Sequence, residues 1–250
     1  MQPGFYSTNP RALTVRELLR SNGLLRLPLL LAASRFMKPL PGGWMPSLWA
    51  DNRCEREQLS SRFWEATAAQ RSRLEQLGFA EVALSKPRRD LTLVPSARDG
   101  GAITYLDQNR AHIGMLTYNR VQKLRAPYAC LERVGCSFTA VFPGGSVSCS
   151  NRREAFDPAP SHRVFRIKSA DPVVVHDRFL AVLRQRQEPP VVFQDFEALR
   201  RWSDGLQREQ LEHWVARGLF VRMTDDEVAA ARKKIPPPLP WERQSRGTQG

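Results

Sequence analysis

The sequence predicts an α+β fold: an antiparallel β-meander sheet of about five to seven strands, packed with flanking α-helices. Three observations carry this expectation. Between Phe79 and Lys168 apolar residues alternate with polar ones at period two, interrupted by turn residues. Before and after that stretch the apolar residues recur at steps of three and four, which is helical spacing. No strand–helix–strand alternation occurs, so a Rossmann-type parallel sheet is not expected, and helices are expected on one face of a curved sheet.

Taken in order, Thr14 and Glu17 form a capping box that opens a short helix ending at Asn22-Gly23. Residues 37–53 are punctuated by Pro and Gly and read as a linker or packed loop. A helix is predicted from about Cys54 to Leu77, its stripe formed by Leu59, Phe63, Ala66, Gln70, Leu74 and Leu77. Gly78 supplies the left-handed position that ends it.

The predicted strands are Ala80–Ser85, Leu91–Pro95, Ala102–Leu106, Ala111–Tyr118, Gly135–Phe142, Ser146–Asn151 and Arg163–Lys168. Asp99-Gly100-Gly101 and Pro143-Gly144-Gly145 read as hairpin turns, because glycine accepts the positive φ of a tight turn. Phe138, Ala140 and Phe142 share one face of the second hairpin. Ser146, Ser148 and Ser150 alternate with Val147 and Cys149 opposite them, the pattern of a half-buried ribbon.

Asp171-Pro172 reads as the cap and first residue of a helix to about Arg186. Val191–Phe193 is a short apolar run. Asp195 caps a helix from Phe196 to about Arg217, with Leu199, Trp202, Leu206 and Trp214 on one side. Thr224 and Glu227 box the start of a last helix, to Lys234. The prolines of residues 235–240 then enforce an extended chain. These boundaries divide the chain into an N-terminal arm (1–53), one α+β domain (54–234) and a Pro-rich basic tail (235–250), expected to be disordered.

With 42% hydrophobic and 25% charged residues the chain can bury a core, which excludes a wholly disordered protein. Its net charge of +13 is unevenly placed. Residues 1–50 hold six Lys/Arg against the single acid Glu17, and residues 232–250 hold five against Glu242. The centre is only mildly basic, unlike a domain that grips nucleic acid on its folded face. Residues 24–33 (LLRLPLLLAA) are apolar but too short to span a bilayer, and no transmembrane span is expected. Arg20, Arg26, Arg35, Lys38 and Trp44 surround this run and suit contact with an anionic headgroup surface.

Motifs for chemistry are sparse. Pro143-Gly144-Gly145-Ser146 lacks the Lys and helix start of a phosphate loop. Cys54, Cys130, Cys136 and Cys149 show no metal-ligand spacing and are expected reduced, a Cys130–Cys136 bridge being the pairing that stands out. Asp225, Asp226 and Glu227 are explained as acids at a helix N-terminus. No metal site and no cofactor are expected.

The residues singled out for a ligand are His176, Cys149 and His162. Histidine exchanges protons near neutral pH, and a thiol beside an imidazole can act as a nucleophile. His176 falls on an apolar helix edge, His112 on the strand face opposite Ile113 and Met115, and His213 on an outer helix surface. Lys86-Pro87-Arg88-Arg89 and Arg152-Arg153 are basic turns, and Lys234 with the following prolines fits a polyproline ligand.

These features suggest a non-enzymatic binding or interaction module, its basic ends directed to an anionic membrane surface or an acidic macromolecule. Nucleic-acid association through the ends is the alternative, as is an enzyme with its site on the concave sheet face. A cytoplasmic, membrane-peripheral location and a bacterial source fit the composition.

Overall fold

A computed structural model describes residues 4–22, 32, 36, 40–42, 52–87, 97–123, 126–152 and 156–233. In chain order its elements are β1 (Tyr6–Thr8), α1 (Val15–Asn22), β2 (Leu40–Gly42), α2 (Ser61–Gln76), β3 (Phe79–Ser85), β4 (Ala97–Asp107), β5 (His112–Lys123), β6 (Ala126–Phe142), β7 (Gly145–Ser150), β8 (His162–Arg166), α3 (Pro172–Leu183), α4 (Phe196–Ala216), β9 (Phe220–Arg222) and α5 (Asp225–Lys233). The fold is α+β, with a six-stranded, mostly antiparallel sheet ordered β3-β4-β5-β6-β7-β8.

Local chemistry sets most boundaries. Thr14 and Glu17 make the expected reciprocal bonds at the start of α1, and Thr224 and Glu227 do so for α5. Asp171 and Asp195 cap α3 and α4 by accepting from Val173 N and Ala198 N. Helix α2 starts at Ser61 rather than at Cys54. Glu55 and Gln58 box a separate 3-10 turn over Arg56–Gln58, and the Ser60 hydroxyl then accepts from Phe63 N at 3.1 Å. Gly78 takes the left-handed φ of 82° that closes this helix.

The Pro143-Gly144 turn joins β6 to β7 as predicted. Asp99-Gly100-Gly101 is no turn: it lies inside β4, paired with Arg120, Asn119 and Tyr118 of β5. Close packing explains Gly101. A Cβ there would sit 2.6 Å from Leu59 Cδ2 and 3.0 Å from Phe63 Cε2. The predicted strand Leu91–Pro95 lies outside the described residues.

Alternation along the strands divides two cores. Tyr105, Leu116, Phe138, Ala140, Phe142, Val147 and Cys149 pack against Leu59, with Phe63 and Leu74 of α2 and Val175 and Phe179 of α3. On the reverse face Leu106, Ile113 and Val141 meet Phe193, with Leu199 and Trp202 of α4. Helices therefore cover both faces, not one. The Val191–Phe193 run makes this possible: Val191 N bonds Val141 O at 2.7 Å and Phe193 N bonds Arg110 O at 2.9 Å, carrying the chain to the second face.

The meander also ends differently from expectation. β8 pairs with β7 in parallel, through the connection 151–161. Both sides of β7 are consequently covered, and Ser146, Ser148 and Ser150 are buried rather than solvated. Cys136 is a free thiol. It stands six residues from Cys130 on the same strand, about 20 Å at 3.3 Å per residue, which a disulfide cannot bridge.

The chain's beginning is bound to its far end. β1 lies between β2 and β9 in a second, three-stranded sheet. Glu17 of α1 is fully buried and takes a two-pronged bond from Arg217, at 2.9 and 2.8 Å. Its carboxylate also accepts from Asp157 N at 2.7 Å, while Arg20 pairs with the Asp157 carboxylate at 2.5 Å. Burial alone would raise the pKa of Glu17; the bonds from Arg217, Asp157 N and Thr14 N outweigh it and hold it at about 2. Among the described residues no helix is long and apolar enough to cross a membrane.

Candidate functional site

Of the three residues singled out for ligand binding, the structure puts Cys149 and His176 on one face of the sheet and His162 on the other. In β7, Cys149 is fully buried against Phe138 on the face covered by α2 and α3, and burial pushes its thiol up to about 11. A neutral thiol without access is a poor nucleophile. His176 in α3 lies on that same face, its ring 4.9 Å from Phe138 and 5.6 Å from Phe79. Burial, then the neighbouring His112, lowers its pKa. This is a core-edge histidine. His112 in turn is held by Asp107, 3.0 Å from its Nδ1, in a clasp that also takes the amides of Ala111 and His112.

His162 opens β8 on the opposite face of the sheet from Cys149, because β8 aligns it with Ser146. Its Nδ1 is 2.6 Å from Ser146 Oγ, its Nε2 is 3.5 Å from Ser148 Oγ, and Ser148 continues to Thr139 Oγ1 at 2.6 Å. Burial lowers the imidazole pKa, with Glu209 opposing. An open cleft of about 590 Å³ adjoins the site, lined by the β6–β7 turn, Ser146, Ser161, Trp202, Leu206 and Glu209.

A serine beside an imidazole can transfer its proton, but nucleophilic catalysis also needs the imidazole oriented by a third group. Here the second nitrogen meets a hydroxyl, Glu209 accepts from Ser161 instead, and Ser146 is only 4% exposed. The network closes on itself, and its effect is to peg β8 onto β7.

The residues proposed for an anionic surface are only partly visible. Arg20 is spent on the ion pair with Asp157, and Arg26, Arg35, Lys38 and Trp44 lie outside the described residues. Of the basic turns, Lys86 donates to the Gln58 carbonyl, and the Arg152 stem lies over Gly135, leaving no room for a Cβ there. His213 is half-buried rather than exposed.

What the sequence did not single out is the other side of β8. Among the described residues β8 is terminal in the sheet order and pairs only with β7. Arg163, Phe165 and Arg166 are exposed, as is Lys168 just beyond, and Phe165 shows 41% of its surface. Among the described residues none of these three cations is in an ion pair. Arg20, Arg62, Arg120, Arg200 and Arg217 face a carboxylate, while exposed Arg133, Arg178 and Arg208, like the β8 cations, are in no ion pair among the described residues. The Asp171 carboxyl nearby caps α3. The basic run within Arg163–Lys168 was legible in the sequence; its position at a sheet edge was not, because that depends on the parallel crossover.

The fold and this edge define a class: an α+β protein whose mixed sheet ends, among the described residues, in an exposed basic strand. No protein family, curated protein or solved structure matches the chain.

Proposed function

We propose that this protein is a non-enzymatic interaction module that binds an acidic region of a partner protein at the β8 side of its sheet. The observation that supports it is the group Arg163, Arg166 and Lys168, exposed together and without carboxylate partners among the described residues. Unpaired cations of one sign attract and orient an acidic partner, and exposed Phe165 offers it an apolar contact. The reading keeps the anionic partner expected from the composition and moves the contact from the chain ends to the folded centre.

The test is a titration with labelled oligoglutamate, which self-repulsion keeps extended. Binding should weaken with salt and fall at least about tenfold in the Arg163→Glu/Arg166→Glu variant. An Arg11→Glu/Arg16→Glu variant, altered away from β8, should bind like the parent. Equal losses in both variants, or none in either, would refute the proposal.

A further inference from the structure

Resting on the binding reading above, we infer that the acidic segment docks by strand addition, lying extended along the outer edge of β8. The ladder between β7 and β8 fixes which backbone groups are free. Ser146 N donates to Ser161 O at 2.7 Å, and Ile167 N donates to Ser150 O at 2.9 Å. In a parallel pair alternate residues turn their amide and carbonyl to the neighbour. Odd-numbered residues 161–167 therefore face β7, and Val164 and Arg166 turn their N–H and C=O outward. Among the described residues nothing takes these groups. Such an edge is a template for another strand, with backbone bonds giving affinity and side-chain pairs giving choice of partner.

The side chains state what that strand carries. Arg163 and Phe165 project from one face of the edge, Val164 and Arg166 from the other. An added strand with acids on both faces places a carboxylate beside each guanidinium, and an apolar residue meets Phe165. Opposite charges on adjacent strands stabilise pairing and like charges oppose it. A second copy of β8 would bring a second set of Arg163, Arg166 and Lys168 to the same edge. The chain's longer stretches lying mostly outside the described residues are net basic: residues 23–51 carry Arg26, Arg35 and Lys38 against Asp51, residues 88–96 carry Arg88 and Arg89 against Asp90, and residues 234–250 carry Lys234, Arg243 and Arg246 against Glu242. Charge complementarity thus selects an acidic segment of another protein, about as long as the five residues of β8.

The experiment uses the full chain and a labelled peptide of repeating Glu-Glu-Val-Val, which carries acids on both faces of an extended strand. Val164→Pro removes one outward N–H while leaving every bond toward β7, and proline is tolerated on an edge strand when its nitrogen faces solvent. It should weaken binding at least about tenfold, the size of effect expected from a backbone bond lost at an interface. Wild-type protein provides the second arm, which needs no variant to fold. N-methylation of alternate peptide amides should abolish binding in one register and spare it in the other.

If the charge-reversed variant loses binding while Val164→Pro and both methylated peptides bind normally, the acidic partner stands and strand addition is wrong. If charge reversal also leaves binding intact, both readings fall. Stronger binding to duplex DNA or anionic vesicles than to the peptide overturns the choice of a protein partner. A dimer broken by Val164→Pro would show that a second copy occupies the edge instead.

Discussion

The two edges of the six-stranded sheet are finished in opposite ways. β3 is closed. A register shift lies between Glu81 and Ala83, Cys54 N bonds Leu84 O at 3.2 Å, and Lys86 N bonds Asn52 O at 2.8 Å. Just inside, Leu59 and Phe63 press on Gly101 of β4. Among the described residues β8 is secured from within, by its parallel ladder and the His162 hydroxyl network, and its outer side carries arginines. Proteins protect a free edge either by covering it or by charging it. This sheet uses one device on each side, and the proposed partner is assigned to the charged one.

The largest expected effect separates the anchors of these edges. β3 is held by nearby backbone bonds, whereas the segment leading into β8 hangs on a distant buried carboxylate: Glu17 takes Asp157 N and Arg217, and Gln210 of α4 takes Ala159 N. Removing one partner of a buried pair leaves the other charge uncompensated, at about 3–5 kcal/mol. Glu17→Ala should lower stability by that order in urea unfolding, and β8 amides should lose protection before β3 amides. The same carboxylate sets an acid dependence. Its folded pKa of about 2 lies below the ordinary 4.5, so its contribution is complete above pH 4.5 and is lost as pH falls through about 2. The stability gap between wild type and Glu17→Gln should therefore shrink on acidification. A gap that stayed constant would refute this role for Glu17.

A smaller effect contrasts packing on the two sides. At Gly101 even one methyl group meets Leu59 and Phe63, so Gly101→Ala should cost about 1–3 kcal/mol, the usual scale of overpacking. At Gly205 of α4, beside the cleft near the start of β8, nothing lies within 4 Å. Gly205→Ala should stabilise by about 0.5–1 kcal/mol, because alanine loses less backbone freedom in a helix. Thermal unfolding of the two variants checks this; the same sign in both would undo the contrast.

How much of this was legible follows the range of each interaction. The caps at Thr14, Ser60, Asp171, Asp195 and Thr224 are local, and four of the five can be picked out of the sequence as helix starts. Ser60 is obscured because apolar spacing continues through Leu59 into the preceding turn. Period two identified the β6–β7 hairpin and its faces, yet Asp99-Gly100-Gly101 has the composition of a turn while being a strand. The glycine there answers to side chains from another element, which no local window contains. Long-range choices were hidden for the same reason. Parallel pairing of β7 with β8 places His162 away from Cys149, and Glu17 reaches Arg217 across 200 positions. The candidate site shared this fate: its cations were visible as residues, but its open edge exists only once the crossover is made.

The smallest effect tests the edges amide by amide. Lys86 N, at the closed edge, is bonded to Asn52 O, and should exchange slowly with deuterium. Val164 and Arg166, at the open edge, should exchange faster than Phe165 and Ile167, whose amides turn toward β7. Alternation of fast and slow amides from Arg163 to Ile167 reports one-sided pairing, since side-chain burial predicts otherwise: under pairing, exposed Phe165 should be slow and half-buried Val164 fast. Addition of the acidic peptide should slow Val164 and Arg166 selectively and leave Lys86 unchanged. Uniform slowing along β8 would indicate general stiffening of the sheet instead of a new strand, and unaltered exchange in a saturated complex would place the peptide elsewhere.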